Sequence, residues 1–530
     1  MENRNSAWSR VTPLLLFSCF CLLVGDVLFG YDTGSFSGIL ANTGFINQFG
    51  SYNPQTQSYS IDSLHTSLLS SLPFIGKFIG CLLAGPLIEK YGHRAVFFGL
   101  SLISVIGVIV EITAAGTGIG SGRYAQFVVG RIIVYASVGL VEVDVTTYQS
   151  EIVPASFRGL VVVSLQLFLT VGTIIATGIN KGFSTSTTSV GWKTVTGVQL
   201  VFPILIVFFT FFIPNSPRWL LSKDHAEEAV DSLRRLRPHA DAVNGKCDAE
   251  IQSIREKLQE IIHKAPWIDL VRGNNLRRTL IVMVYYFFQQ VSTIHTPDIP
   301  DKGRNTLSHT LQTTGQAFVS TYATTFYKTN GYAAEAFTYP VIGSCLGLLS
   351  VLPAMYFIDK YGRRYTLMAS FSLQALWLFL LAGLGERNNG STVTKNSIVA
   401  AFILYSFFYN MGGASIPYLL GAEIPTFAVR EKTQALGASW NVVWAFVTNF
   451  VIPYMIDTIH FKVGWVFGSI SLLALLFTIF FLPETKGRTL EEIDAIFSVP
   501  YNPFRRTARN GTDSPGKIAD EKVIERTESQ

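Results

Sequence analysis

Long apolar runs broken by short polar loops dominate this chain. A helix that crosses a bilayer needs about 20 mostly apolar residues. Such segments fall near 12 to 40, 64 to 88, 95 to 115, 124 to 148, 159 to 180 and 194 to 213. After a hydrophilic stretch, six more lie near 277 to 327, 336 to 358, 365 to 385, 397 to 421, 433 to 456 and 463 to 482, the first of them interrupted. The pattern predicts an all-α membrane protein of twelve transmembrane helices in two six-helix halves, 1–214 and 277–482, joined by a loop at 215–276 and followed by a tail at 483–530. Within the loop, "AEEAVDSLRRL" and "AEIQSIREKLQEII" carry apolar residues at helical spacing with charges between them. These predict short amphipathic helices lying along one face of the bundle. The tail is polar and is expected to be disordered towards its end.

Composition supports a lipid environment. Of 530 residues, 49% are hydrophobic and only 15% charged, a balance outside the soluble globular class. The net charge of +5 is mild and its bases cluster, which points to membrane orientation rather than nucleic-acid binding. Lys90, His93 and Arg94, the bases between Arg218 and Arg278, then Lys360, Arg363 and Arg364, then Arg430 and Lys432 all fall on one side. The positive-inside rule therefore puts both termini and the central loop in the cytoplasm. The first apolar run lacks a small-residue cleavage site and holds Asp32, so it reads as a retained spanning helix. The sequon at Asn389 then lies outside, where it is open to glycosylation or simply unused, whereas Asn510 is in the cytoplasmic tail. Cys19, Cys21, Cys81 and Cys345 lie in apolar runs and make no disulfide framework.

The two halves repeat each other. "GPLIEKYGHR", ending at Arg94, recurs as "MYFIDKYGRR", ending at Arg364. "EIVPASFR", Glu151 to Arg158, recurs as "EIPTFAVR", Glu423 to Arg430. "PNSPRW" after the sixth segment is loosely echoed by "PETKGR" after the twelfth. A duplicated bundle binds its substrate between the halves and rocks about it. Glu89, Arg94, Glu151 and Arg158, with Asp359, Arg363, Arg364, Glu423 and Arg430, are candidate gating residues, expected to pair across the halves when the cytoplasmic side is closed. The plainer reading is that they only set topology. Glu142 and Asp144 are two apart on the fourth helix and so point to different faces. They either extend a proton route towards the cytoplasm or, as acids near a helix end do, reach the interface or pair locally.

Seven motifs in order, "GYDTGSFSGIL", Gly130-Arg131, "E..P...RG" from Glu151, "P.SPRWL" from Pro214, Gln289-Gln290, "DKYGRR" and "PETKGRTLEEID", resemble the sugar porter family of the major facilitator superfamily, its fungal members most of all. The match runs from about Phe29 to Asp494. Asp32 lies in an apolar helix, where an ionised carboxylate is costly unless paired, so it is a functional candidate in its own right. The resemblance implies that Arg131 neighbours it, and that an acid here accompanies proton symport; the alternative is a fixed ion pair that braces two helices. A sugar is a ring of hydroxyls that both donate and accept, and side-chain amides meet both needs without charge. Gln166, Gln289, Gln290 and Asn441 align with the family's sugar-contacting amides, though each alone could be an interhelical hydrogen bond.

The chain also departs from the pattern. Tyr418 stands where tryptophan is frequent and Gly347 where asparagine is frequent; Ala317 takes another asparagine's place, with Gln316 beside it. The expected substrate-binding set is therefore Gln166, Gln289, Gln290, Asn441, Tyr418 and Gln316, with the identity of the sugar left open. No enzyme is expected, and no catalytic residue, cofactor or metal. "GTGIGSG", Gly116 to Gly122, has no preceding strand and no lysine where a phosphate loop requires one. The implied function is secondary transport of a sugar, a hexose first, by proton symport across the plasma membrane. Alternatives are facilitated uniport, a transporter or exporter of a glycoside, polyol, quinate-like solute or secondary metabolite, and a sugar sensor; the short tail speaks against the sensor. The partners expected are the sugar, protons and the lipid bilayer, with no nucleic acid, and the working unit is expected to be a monomer.

The interruption begins straight after Gln290. Placing Asp298, Asp301, Lys302 and Arg304 in hydrocarbon would cost about 3 kcal/mol each. Deleting the 22 residues Val291 to Gln312 restores one helix-length segment, "YYFFQQTTGQAFVSTYATTFYK". Val-Ser can be encoded GTAAGT and Gln CAG, common intron boundaries. The segment reads as a retained intron in the gene model or as a surface loop peculiar to this protein.

Overall fold

The computed structural model describes residues 12–54, 57–153, 158–239, 244–261, 266–290, 321–329, 335–387, 391–426, 429–459, 462–486, 493 and 496–497. Six helices form the first half: α1 (Pro13–Ala41), α2 (Ser63–Tyr91), α3 (His93–Thr113), α4 (Tyr124–Ile152), α5 (Arg158–Gly182) and α6 (Ser189–Thr210). The second half begins with α7 (Gly273–Gln290), followed after the interruption by a short helix, Ala323–Thr329. It continues through α8 (Thr338–Tyr361), α9 (Arg363–Glu386), α10 (Val393–Gly421), α11 (Arg430–Ile459) and α12 (Val463–Phe481). Among the described residues nine helices are long and apolar enough to cross a membrane, all but α4, α5 and α7. Arg131, Glu142, Asp144 and Glu151 lower the hydropathy of α4, and α7 is described only to Gln290. Large apolar side chains such as Leu82, Leu102, Phe208 and Leu352 point outward, a surface suited to hydrocarbon rather than water.

Small residues bring α2 and α4 together. Gly76 and Gly80 are four apart on one face of α2, and a Cβ on either would meet the carbonyl of Ile132 or Ala136 on α4. Gly139 returns the contact against the carbonyl of Lys77. This close backbone approach is the small-residue packing that serves where lipid is as apolar as the side chains themselves. Between the halves, α5 packs along α8 and α11 along α2.

The two ends of the bundle differ. At the basic face, helices Ala226–Leu236 and Lys246–Ile261 form where the amphipathic pattern predicts them. Arg237 ties them to the bundle, donating to Glu250 at 2.7 and 3.1 Å and to the Ile152 carbonyl at 2.9 Å. The tail turns back as far as Phe497, whose ring lies 4.9 Å from the Arg278 guanidinium. At the far face, helix Thr43–Phe49 and a hairpin of β1 (Ser51–Asn53) and β2 (Ser58–Ser60) cover the bundle. The polar, aromatic stretch that makes this hairpin gave no strand signal of useful length, so the all-α expectation missed it.

The repeat seen in sequence is a repeat in space. Gly92 joins α2 to α3 with φ of 80°, and Gly362 joins α8 to α9 with φ of 95°, the left-handed region that glycine enters without strain. The segment after each sixth helix closes over its turn: Trp219 packs on Gly92, and Glu484 accepts from the backbone N–H groups of Arg363 and Arg364 at 2.9 and 3.1 Å.

Replacing Gly80 with leucine must push α2 off α4. The expected cost is about 1–3 kcal/mol, read as a lower melting temperature of the purified chain in detergent, with Gly80→Ala in between. An unchanged melting temperature in both would contradict the close approach.

Candidate functional site

Midway along the bundle, side-chain amides from four helices meet. Asn441 of α11, 1% exposed, donates to Gln289 Oε1 at 2.9 Å and to the Tyr286 carbonyl at 3.3 Å, and its own Oδ1 accepts from Gln290 Nε2 at 3.2 Å. Gln289 Nε2 donates to the Ala414 carbonyl at 2.7 Å, and the Tyr409 hydroxyl donates to the Gln289 carbonyl at 3.3 Å. Tyr409 opens the π-helical turn Tyr409–Gly413 of α10, and Ala414 borders it. Such turns interrupt the regular ladder and frequently mark functional sites. Across the interface, Gln166 Nε2 of α5 donates to Asn410 Oδ1 in that turn at 3.1 Å.

Asn410 accounts for one departure from the family pattern. A Cβ on Gly347 would lie 3.1 Å from Asn410 Nδ2. The missing side chain on α8 leaves room that an amide from α10 fills. Sequence reasoning counted a lost amide there and overlooked Asn410, whose only sequence signal is a polar residue between aromatic ones and a Gly-Gly pair.

Asp32 and Arg131 come together as the motifs imply, both at most 2% exposed, with 3.8 Å between Oδ2 and Nη2. Asp32 Oδ1 also accepts from Gln199 Nε2 of α6 at 3.1 Å. Arg131 donates to the Tyr135 hydroxyl at 3.2 Å and sits 3.6 Å over the Phe36 ring. Buried Glu111 of α3 packs against Gly130, next to Arg131. Tyr418 is placed differently from the expectation. Its hydroxyl donates to Glu142 Oε1 at 3.1 Å, and that carboxylate's Oε2 lies 2.9 Å from Lys77 Nζ. The hydroxyl is thus committed to the other half. Lys77 and Glu111 were missed in the sequence, although a charge inside an apolar run was signal enough.

At the basic face the charged motifs pair within each half. In the first half His93, not Arg94, reaches Glu151, with Nε2 3.2 Å from Oε2, and its Nδ1 lies 2.5 Å from Asp144. Ser216 also donates to Glu151. In the second half Arg363 donates to Glu423 at 2.7 Å and Thr485 donates to its other oxygen at 2.7 Å. The physical reason is position: the residue straight after each turn glycine points back over its own half. Arg364 donates to the Ile479 carbonyl and Arg430 to the Pro425 carbonyl, while Glu89 is exposed, with its carbonyl accepting from Trp219. Asp144 of α4 is held by His93 of α3. Gln316, Asn389 and the segment Val291 to Gln312 lie outside the described residues, as do the side chains of Arg158 and Asp359. The polar contacts that cross between halves run from the far face, where Lys328 donates to the Ala41 carbonyl at 2.8 Å and Ser37 meets Thr324 at 3.2 Å, to the middle, at Gln166 and Tyr418.

Comparison with known proteins adds context to this geometry. The family model described as "Sugar (and other) transporter" matches residues 18–297 and 306–497, passing over 298–305 inside the interrupting segment. The chain is 29% identical to the major facilitator-type transporter ecdD of Aspergillus rugulosus, covering 96% of this chain and 93% of that protein. It is 28% identical to the high-affinity fructose transporter ght6 of Schizosaccharomyces pombe, covering 91% and 86%. In structure it resembles the xylose transporter XylE from E. coli in a partially occluded inward open conformation, with a TM-score of 0.72, 20% identity, and 90% and 100% coverage. The same XylE, titled a proton:xylose symporter and bound to 6-bromo-6-deoxy-D-glucose, also matches at a TM-score of 0.72 and 21% identity, covering 91% and 99%. These likenesses to solved structures establish the fold.

Asn441 is the hub of the amide cluster. Asn441→Leu strands Gln289 Oε1, which should cost about 1–3 kcal/mol for a buried group left unpaired. A thermal melt of the purified chain reads this, and a variant as stable as the parent would show the amides to be independently satisfied.

Proposed function

The chain belongs to the sugar transporter family of the major facilitator superfamily, multi-pass membrane proteins that are not enzymes, and from that premise we propose that it carries a hexose with a proton across the plasma membrane. The observation that carries this reading is the uncharged amide cluster at the junction of the halves. Gln166 on one side and Gln289, Gln290 and Asn441 on the other offer paired donors and acceptors to a ring of hydroxyls. Asn410 joins them in place of the side chain that Gly347 lacks. The hydrogen bonds now made among these amides are those a sugar would exchange for its own, so binding need not leave a buried polar group unpaired.

Asp32 supplies the proton site in this reading. Its partner Arg131 is 3.8 Å away, beyond hydrogen-bonding distance, so the carboxylate is held by charge and by Gln199 rather than by a tight fork. A carboxylate so held can gain a proton on one side of the membrane and release it on the other as the halves rock. The basic face is cytoplasmic and carries both termini. Glu151 with His93 and Ser216, and Glu423 with Arg363 and Thr485, brace each half so that it moves as one body. Glu89, Arg94, Arg158, Asp359, Arg364 and Arg430 belong to the same gating rim.

The interruption bears on the same reading, because it follows Gln290 directly. We infer a retained intron as its origin; the family model passes over 298–305 within it and matches its two ends. Mature message is expected to join the codons of Gln290 and Thr313, and all 22 intervening codons in that message would overturn it.

Uptake of labelled glucose by yeast lacking its own hexose transporters tests the function. Uptake is expected to rise as external pH falls and to be concentrative until an uncoupler is added. Asp32→Asn should abolish concentration and pH dependence while leaving downhill flux. Gln166→Ala should raise KM about 5- to 10-fold, the equivalent of one lost neutral hydrogen bond. Uptake indifferent to pH in parent and Asp32→Asn alike would reject symport; no glucose uptake, with another solute carried, would reject the hexose.

A further inference from the structure

The π-helical turn of α10 has an identifiable cause on α9. Within Tyr409–Gly413 the backbone takes the wider register of such a turn, with the Ala414 N–H donating to the Tyr409 carbonyl five residues back at 3.1 Å. One residue earlier a side chain sits across the same register. The Ser370 hydroxyl donates to the Phe408 carbonyl at 2.7 Å and accepts from the Gly413 N–H, five residues on, at 3.2 Å. A side chain inserted into the backbone ladder is one of the few causes of an irregular helix. Gln374, one turn along α9, donates its Nε2 to the same oxygen at 2.8 Å. A hydroxyl has one donor and two acceptor sites, so with both acceptor sites filled its proton is left to point at Phe408. Ser370 and Gln374 are both buried.

We infer that Ser370 is a positioning residue, whose inserted hydroxyl makes the π-turn and thereby aims Asn410 across the interface at Gln166. Its part in sugar binding rests on the reading of the amide cluster given above, whereas the placement of Asn410 does not. Asn410 is the second residue of the turn. Its Nδ2 donates to the Ser406 carbonyl at 3.0 Å, one turn back, which leaves Oδ1 to accept from Gln166 at 3.1 Å. A π-turn holds one residue more than the regular ladder does, and taking that residue's winding out turns one side of the helix by about 100° against the other. A rotation of that size carries Asn410 away from Gln166.

The Gly-Gly pair that follows Met411 belongs to the same device. A Cβ on Gly412 would lie 3.0 Å from the Ser370 Cβ, and one on Gly413 would lie 3.1 Å from Gln374 Nε2. Two residues without side chains let α9 come close enough for a hydroxyl as short as serine's to reach between Phe408 and Gly413. Every polar group in the contact is then met, as burial in hydrocarbon demands. The irregular turn is held from outside by α9 and is not left to the preferences of α10 alone.

Cross-linking of the full chain in lipid, with its five native cysteines replaced by serine, reads the placement of Asn410 without any sugar. The pair Gln166→Cys/Asn410→Cys is expected to form a disulfide readily under a mild oxidant, and adding Ser370→Ala should slow it about 5- to 10-fold, the effect of one lost buried hydrogen bond. A control pair at the far face, Ser37→Cys/Thr324→Cys, joins residues whose hydroxyls are 3.2 Å apart and should be unaffected. Where Ser370→Ala does not fold, Gln374→Leu leaves the hydroxyl in place but free to turn, and should slow the first pair alone. In glucose uptake, Ser370→Ala should raise KM about 5- to 10-fold with the maximal rate kept, and should add nothing in an Asn410→Ala background, because the two residues act in series. A first pair that cross-links as fast with Ser370→Ala or Gln374→Leu as without overturns the inference. Equal slowing of both pairs overturns it too, since that is general loosening, and so do KM penalties that add. Absence of glucose uptake, with cross-linking of the first pair alone slowed, rejects the hexose reading and leaves the role of Ser370 standing.

Discussion

Hydrocarbon offers no hydrogen bonds, so every polar group inside this bundle has to be met by another part of the chain. That demand organises the molecule. Several of the side chains that need partners find them on a different helix: Asp32 on α4 and α6, Glu142 on α2 and α10, Gln289 on α10 and α11, Gln166 on α10. Apolar packing alone leaves helices free to slide, because lipid competes for the same contacts. Polar contacts fix which helices are neighbours and at what depth.

The same demand explains why the halves look alike at the basic face. In each, an acid near the end of the fourth or tenth helix is gripped by the residue after a turn glycine and by a hydroxyl from the segment after the sixth or twelfth helix. The halves differ in the cation. Arg363 serves Glu423, whereas His93, with two ring nitrogens pointing in different directions, serves Asp144 and Glu151 together. Asp144 has no counterpart in that second-half cluster, since the position matching it in the repeat is Ile416.

Helix number, the two halves and the central amphipathic helices were legible because length and hydropathy are local properties of the sequence. The repeat was legible too, since duplicated motifs keep their spacing. What stayed hidden was pairing. Nothing near Gly347 in the sequence announces that Asn410, far along the chain, fills its space. Arg94 stood among the candidate gating residues and His93 did not, yet the contact with Glu151 is made by the histidine. Lys77 was visible as a charge in an apolar run, but its pairing with Glu142, and the Tyr418 hydroxyl that joins the pair, appear only when α2, α4 and α10 are brought together.

Tyr418 joins these threads. On the sequence it is an aromatic substitution at a position expected to face the sugar; in the fold its ring stacks edge to face on Tyr286, one turn before Gln289 and Gln290, while its hydroxyl is bound to Glu142. One side chain therefore touches both the helix that carries the proposed sugar amides and the charge cluster of the opposite half. On the proposed reading, a sugar that shifts α7 or α10 changes the distance from Tyr418 to Glu142, and with it the contact between α10 and the ion pair that joins α2 to α4. Coupling between the halves then needs no wire through the protein. It follows from a single hydrogen bond whose donor sits beside the proposed sugar amides and whose acceptor belongs to the charge pair of the opposite half.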